Sequence, residues 1–349
     1  MTAEPRKRLA VPGLLLATLL LAGCQPAEPP LLERRFIALG TIVDITLYGV
    51  EAERADPILA KIERDFHRLH HDWHAWEDSD LTALNQALQS GETAPIPAGL
   101  AGVLAQAQAL SRRSNGLFEP ALGGLMALWG FHSNDLPDAL PAAEAIAAWR
   151  AERPHMSDLT LEDGQARSDN PRMQLDLGAF AKGVAVDRAI AALRAAGFDN
   201  AIVNAGGDLR ASGARERPWR IGIRHPRAPG VLASIETAGD ESIFTSGDYE
   251  RYFEIDGKRY HHIIDPRSGY PARGTASLTV MHSEAAVADA AATALFVAGD
   301  TWPQTAASMN IRRVMRVRPD GTVEMTPAMA ERIRFETETA PDVILRELP

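Results

Sequence analysis

The sequence runs to 349 residues, is 46% apolar and carries a formal net charge of −10. That is ample for one large core or two ordinary ones. The dispersed acidic balance argues against nucleic acid as a partner, since such proteins present a basic face, and the single cysteine, Cys24, excludes a disulfide within the chain.

In chain order, the N-terminus comes first and reads as a targeting segment. Arg6, Lys7 and Arg8 form a positive n-region, residues 9–22 a short apolar h-region broken by Pro12 and Gly13, and "LAGC" follows at 21–24. A run this short predicts a signal peptide over residues 1–23 rather than a membrane span. Residues 24–32 are Pro-rich and predict a tether that does not fold alone. The folded domain is then expected at 33–349. The "LAGC" end resembles the lipobox of bacterial lipoproteins. That resemblance implies cleavage before Cys24 and lipid on this cysteine; Gln25 does not by itself choose the membrane, and the expected position is lipid-anchored on the periplasmic side of the inner membrane.

Residues 35–48 alternate and are β-branched, which predicts a strand with Gly40 as a bulge or a point of close approach. Helical spacing of apolar residues predicts helices over 51–72, 79–89 and 97–114, with Ser79 and Thr82 as caps. Asp163-Gly164 within "LTLEDGQARSD" predicts a hairpin. "MQLDLG", 173–178, predicts a short strand running into a helix closed by Gly197. A further strand over 200–208 ends in paired glycines, short strands follow to 282, and an Ala-rich helix over 284–299 is closed by Gly299. A last hairpin is expected at Pro319-Asp320-Gly321. The elements lack the steady alternation of a doubly wound sheet. The predicted class is therefore α+β: one compact mixed unit, mixed sheets flanked by helices, with two lobes sharing a groove.

Three stretches carry chemistry. "DLGAFAKG", Asp176 to Gly183, is a strand-to-helix turn whose exposed N–H groups suit a phosphate, with Lys182 adding positive charge. It lacks the spacing of a Walker A loop, and taken alone it reads first as a plain structural turn, which is common between a strand and a helix. "NAGGD", Asn204 to Asp208, is a tight turn or a point of backbone approach to a ligand. On the Ala-rich helix Asp289 and Thr293 are four apart and share a face. Their hard oxygens suit Mg²⁺, which takes few protein ligands and fills its shell with water and phosphate. No HExxH, cysteine zinc site or Gly-x-Ser-x-Gly is present. "YHHIIDPRSGYP", 260–271, reads as a metal pair, an acid/base or a strand entering a turn. Adjacent strand residues face opposite ways, which weakens the two-histidine metal site.

Taken in order, "LGT" (39–41), "WEDSDLTALN" (76–85), "GLFEPALGGLMALWGF" (116–131), "LDLGAFAKGVAVD" (175–187), "VNAGGDLRASG" (203–213), "TSGDYERYFEIDGKRYHHIIDPRSGYP" (245–271) and "ADAAATALFV" (288–297) resemble the ApbE family, the FAD:protein FMN transferases. Seven pieces in the same order are far more specific than any one of them. The resemblance implies that FAD is split at its pyrophosphate, that FMN passes to a Thr or Ser hydroxyl of an acceptor protein carrying a Thr-containing motif, and that AMP leaves. It implies Mg²⁺ between the Ala179 carbonyl, Asp289 and Thr293. It implies an FAD site drawn from Leu39, Gly40, Trp76, Phe118, Glu119, Pro120, Asp176, Lys182 and Ile264. Leu39 stands where the family has methionine, and Glu119 where it commonly has aspartate. The second histidine of the family's pair maps to His262, which the resemblance makes the base. Asp265 either orients it or shapes the turn, and His261 is left without a role. Acceptors in the family are membrane redox-complex subunits or extracytoplasmic flavoproteins. Two other activities fit the same residues: a lipid-anchored FAD-binding protein, and a pyrophosphatase that turns FAD into FMN and AMP.

Overall fold

The computed structural model describes residues 2, 30–135, 137–213 and 217–349. The signal peptide and Cys24 lie outside the described residues. The fold is α+β, organised on a nine-stranded sheet whose spatial order follows the chain: β1 (Leu31–Ala38), β2 (Thr41–Tyr48), β3 (Ala201–Ala205), β4 (Asp208–Ser212), β5 (Glu241–Gly247), β6 (Ser277–His282), β7 (Arg313–Val317), β8 (Val323–Met325) and β9 (Val343–Leu345). Neighbours are antiparallel except β8 and β9, which run parallel.

Two early expectations change. Residues 35–48 are not one strand but a hairpin. Leu39 and Gly40 both take positive φ, 51° and 71°, the two-residue turn whose twist matches its flanking strands. Leu31 and Leu32 already pair with Tyr48 and Leu47, so the fold starts two residues inside the segment read as tether, ahead of residue 33.

One face of the sheet is covered by helices α1 (Ala52–Asp72), α2 (Asp80–Gln89), α3 (Ala101–Arg113), α4 (Gly123–Leu128), α5 (Ala143–Ala151), α6 (Ala181–Ala195), α7 (Ala285–Ala298) and α8 (Trp302–Met309), with α1, α6 and α7 nearest the strands and α4–α5 set to one side. In α1 the buried positions are Ala55, Leu59, Ile62, Phe66 and Leu69, a helical stripe that meets β1. Ser79 caps α2: its hydroxyl accepts from Thr82 N while Thr82 Oγ1 accepts from Ser79 N. The other face of β4–β8 is covered by a three-stranded sheet, Arg220–Arg224, Val231–Glu236 and Ile333–Phe335, over a second core that includes Leu209, Ile243, Met281 and Met315. A third apolar cluster joins Trp129, Phe131 and Trp149 to Phe253, Tyr260 and Ile264. It forms the second wall of the groove.

"MQLDLG" is extended but is not a strand. Asn85 takes the place of a neighbouring strand: its Nδ2 donates to Leu175 O at 2.9 Å and its Oδ1 accepts from Leu175 N at 2.8 Å. Asp176 N donates to Pro120 O at 2.8 Å. A single bridge, Leu122 to Gln174, is all the ladder there is among the described residues. The chain then turns into α6.

Helix α7 is buried on nearly every side, and alanine makes this possible because α6 lies almost against its backbone. A Cβ on Gly183 would sit 2.5 Å from Ala285 O and 2.7 Å from Ala286 Cα. Both are backbone atoms and cannot rotate aside. Gly183→Ala is therefore expected to lose about 1–3 kcal/mol, read as a lower melting temperature. An unchanged melt would show that the two helices are free to separate.

Candidate active site

A cavity of about 830 Å³ opens between the sheet, α6–α7 and the Trp129 cluster. Elements far apart in sequence converge on it: the Leu39-Gly40-Thr41 turn, Trp76, Phe118 to Pro120, Asp176 to Ala179, Lys182, Asp208, Glu250, His262 to Ile264, Asp289 and Thr293. The turns that frame it need glycine. Gly206 has φ 72°, and a Cβ there would fall 2.2 Å from Thr41 Oγ1, so the NAGGD turn closes tightly on the β1–β2 turn.

The floor is charged. Lys182 is ion-paired to Asp208, whose other oxygen accepts from Thr245 N at 2.8 Å. Burial works against the ammonium, but Asp208, Asp289 and Glu250 outweigh it and hold Lys182 in its charged form. Asp289 accepts from Gly183 N at 2.9 Å, the first turn of α6. Burial pushes its carboxyl up to about 7, Lys182 opposes the rise, and Asp208 adds to it. Glu250 is likewise pushed up to about 7, by burial and then by the neighbouring acids. Thr293 lies one turn beyond Asp289, with its hydroxyl 3.3 Å from Ser246 Oγ. Three acids thus face one lysine, an arrangement whose carboxylates a cation would stabilise in their charged form. Among the described residues no three His, Cys, Asp or Glu side chains are grouped to hold a metal.

The wall is aromatic. Trp76 stacks on His132, with centroids 5.1 Å apart and planes 21° apart. His132 Nε2 lies 2.8 Å from Asp176 Oδ2, and Gly178 N donates to Asp176 Oδ1 at 2.8 Å. Burial raises the Asp176 carboxyl, but the bond and charge of His132 more than offset it and the net effect is downward. Arg251 reaches across with Cζ 5.7 Å from both the Trp76 and Phe131 centroids, and donates to Ser133 O at 2.5 Å.

The histidine pair divides: His261 is the last residue of the strand Lys258–His261, and His262 lies just beyond it. His262 borders the cavity, and its Nδ1 lies 3.1 Å from Arg251 O. A carbonyl only accepts, so Nδ1 carries the proton and Nε2 keeps its lone pair. Burial, then the adjacent His261, lowers His262 to about 4. It is a neutral imidazole at neutral pH. His261 faces the opposite way: its Nε2 donates to Ala272 O at 2.8 Å, its Nδ1 accepts from Ile263 N at 3.3 Å, and its ring meets Phe296 edge-on.

The ApbE family profile matches residues 39–315. The chain belongs to the ApbE family. An FAD:protein FMN transferase of Rhodobacter capsulatus is 42% identical over 339 residues, covering 95% of this chain and 65% of that protein. This chain thus spans about two thirds of that relative's length. The FAD:protein FMN transferase of Vibrio cholerae is 34% identical over 315 residues, covering 88% of this chain and 93% of the relative. Among solved structures, the ApbE protein of Thermotoga maritima superimposes with a TM-score of 0.80 at 32% identity, over 88% of this chain and all of that one. The Pseudomonas stutzeri flavinyl transferase ApbE gives 0.77 at 29% identity, over 90% of this chain and all of that one.

Within this ApbE fold, every site residue expected from sequence except Cys24 borders the one cavity. Glu119 is among them, and its carboxylate accepts from Met156 N at 3.0 Å and Ala121 N at 3.3 Å, with Ser111 Oγ at 3.3 Å. Burial raises that carboxyl to about 7. Asp265 is bonded to Arg267 and shapes the turn, with no bond to His262. The sequence reading missed His132, Asp208, Glu250 and Arg251. A buried lysine demands a counterion, and Asp208 at the end of the noted glycine turn was the available signal. His132 and Arg251 had none, because Trp76 gathers them from distant parts of the chain.

His261 now has a structural account. His261→Ala breaks two backbone contacts and removes a buried ring, so it is expected to lower stability by about 1–3 kcal/mol. Turnover per folded molecule should stay close to that of the unaltered chain. Loss of turnover at full stability would move the chemistry to His261.

Proposed function

We propose that the chain is an Mg²⁺-dependent FAD:protein FMN transferase. The observation that carries this reading is His262: a neutral imidazole, its Nδ1 committed to the Arg251 carbonyl, bordering the same cavity as Lys182 and Asp289. Binding FAD alone calls for no base.

The pyrophosphate of FAD lies over the charged floor, and its rings lie against the apolar and aromatic walls. Lys182 offsets phosphate charge, and Asp208 keeps it extended toward the ligand. A hydroxyl of the acceptor attacks the phosphorus of the FMN half as its proton passes to His262 Nε2. The bond from that phosphorus to the bridging oxygen breaks, and AMP leaves with the bonding pair. Asp289 and Thr293, with the Ala179 carbonyl, would hold the Mg²⁺. That ion supplies neutralisation of the charge that builds on the phosphates. Asp176 fixes the Gly178 turn and the tilt of His132, and so the wall beside Trp76.

The acceptor on this reading is an extracytoplasmic flavoprotein or a membrane redox-complex subunit with a Thr-containing motif. Arg6 to Arg8, the apolar run and "LAGC" support a lipid anchor at Cys24 on the periplasmic side of the inner membrane. Labelling cells with a palmitate analogue tests it: label should follow the protein and vanish in Cys24→Ala, whereas label retained there would remove the anchor. The transferase itself is tested by incubating the chain with FAD and such an acceptor. Flavin fluorescence should stay on the denatured acceptor, and chelation by EDTA should abolish it.

A further inference from the structure

From the geometry of β1 we infer that the sheet's free edge is the docking rail for the acceptor, which adds an extended segment alongside β1 and so feeds its hydroxyl residue into the cavity. This rests on the transferase reading above. Nothing among the described residues pairs with the outer side of β1, which is eight residues long and ends the nine-stranded order.

The register says which groups that edge offers. Residues closing a two-residue hairpin form a hydrogen-bonded pair, here Ala38 with Thr41, and such pairs alternate with non-bonded ones. Ile37–Ile42, Arg35–Asp44 and Glu33–Thr46 are thus non-bonded pairs. Two bonds on the far side of β2 agree: Gly206 N donates to Ile42 O at 2.9 Å, and Tyr48 N to Asn200 O at 3.0 Å. The N–H and C=O groups of Glu33, Arg35 and Ile37 therefore point outward, spaced to receive another strand.

The end of this edge is what makes it a rail. β1 runs directly into Leu39-Gly40, which border the catalytic cavity. Beside that turn Ile37 is 71% exposed and its cross-strand partner Ile42 is 48% exposed. Edge strands are normally guarded by charge or proline. Glu33, Arg34 and Arg35 guard the distant half, and the half next to the cavity is left apolar. The chain's own preceding segment is a poor occupant, because Pro26, Pro29 and Pro30 lack the donors a strand needs. The opposite edge, β9, is three residues long and eight strands away.

Two variants of the full chain test this. Arg35→Pro removes an outward N–H and leaves the β1–β2 ladder intact, and Ile37→Lys puts a charge on the apolar end. The probe is a recombinant extracytoplasmic flavoprotein subunit with a Thr motif, titrated with FAD and Mg²⁺ present. Both variants should raise KM for the acceptor by about tenfold, with kcat and FAD affinity by flavin fluorescence unchanged. Hydrogen exchange should slow in 31–38 of the unaltered chain when acceptor is added. Unchanged KM, or exchange in 31–38 indifferent to the acceptor, overturns the rail. A shift to dimers that accounts for the slowed exchange overturns it in favour of a second copy. An unaltered chain that labels no acceptor overturns the transferase reading itself, and the rail with it.

Discussion

A chain carrying His262→Ala will bind FAD but pass FMN to an acceptor some 10²–10⁴-fold more slowly, about the contribution of a positioned base. FAD affinity, followed by flavin fluorescence, should barely move, because the loss falls on proton transfer. The pH profile separates this from a mere packing effect. An ordinary histidine loses its lone pair below about pH 6.5. Burial lowers His262 to about 4, so the imidazole stays neutral as pH falls through 6.5, and the acid limb of kcat should lie near pH 4. The same shift acts on stability. The unfolded chain takes up the proton near 6.5 and the folded chain only near 4, so His262 contributes stability above 6.5 that is lost as pH falls toward 4. A limb at 6.5 that disappears in His262→Ala would contradict this environment for the base.

The second large effect is at Asp289. Asp289→Asn should abolish Mg²⁺-dependent transfer, a loss of several kcal/mol in transition-state stabilisation, or about 10³-fold or more. The variant should still melt at a temperature equal to or higher than the unaltered chain in the absence of Mg²⁺. Burial holds the carboxyl up near 7, so ionising it in the folded chain is unfavourable. The unfolded chain sheds that proton near 4, and stability therefore falls as pH rises from about 4 to about 7. Asparagine carries no such penalty and keeps an oxygen for Gly183 N. The gap in melting temperature between the two chains should widen over that pH range. A variant that is less stable at every pH would make Asp289 a structural residue first. Magnesium titration by calorimetry gives a readout independent of turnover: heat of binding in the unaltered chain, none in Asp289→Asn.

Much of this site was legible in the sequence because its parts are local. The shared face of Asp289 and Thr293 follows from helix geometry and the cap at Ser79 from side-chain chemistry, while alternation pointed to the division of His261 from His262 although the strand itself ends at His261. The glycine turns at 40 and 206 were visible as glycines, but their closure on each other was not. What escaped involved partners remote in sequence. Asn85 bonds both polar groups of Leu175 across 90 positions, so a segment patterned like a strand never joins a sheet. His132 reaches Asp176 across 44 positions. Glu119 borders the cavity, and the Met156 backbone that its carboxylate accepts from lies 37 positions away. Periodicity reports which face a residue takes, and it does not report what stands opposite.

The most direct test of the central claim is a count of products in one reaction. Purified chain, FAD, Mg²⁺ and a Thr-motif acceptor are incubated together, AMP is quantified, and the acceptor is analysed by mass spectrometry. The account predicts one AMP for each acceptor that gains an FMN-sized mass through a phosphoester on a Thr or Ser hydroxyl. AMP released together with free FMN, and an acceptor of unchanged mass, would contradict it and make the chain a pyrophosphatase.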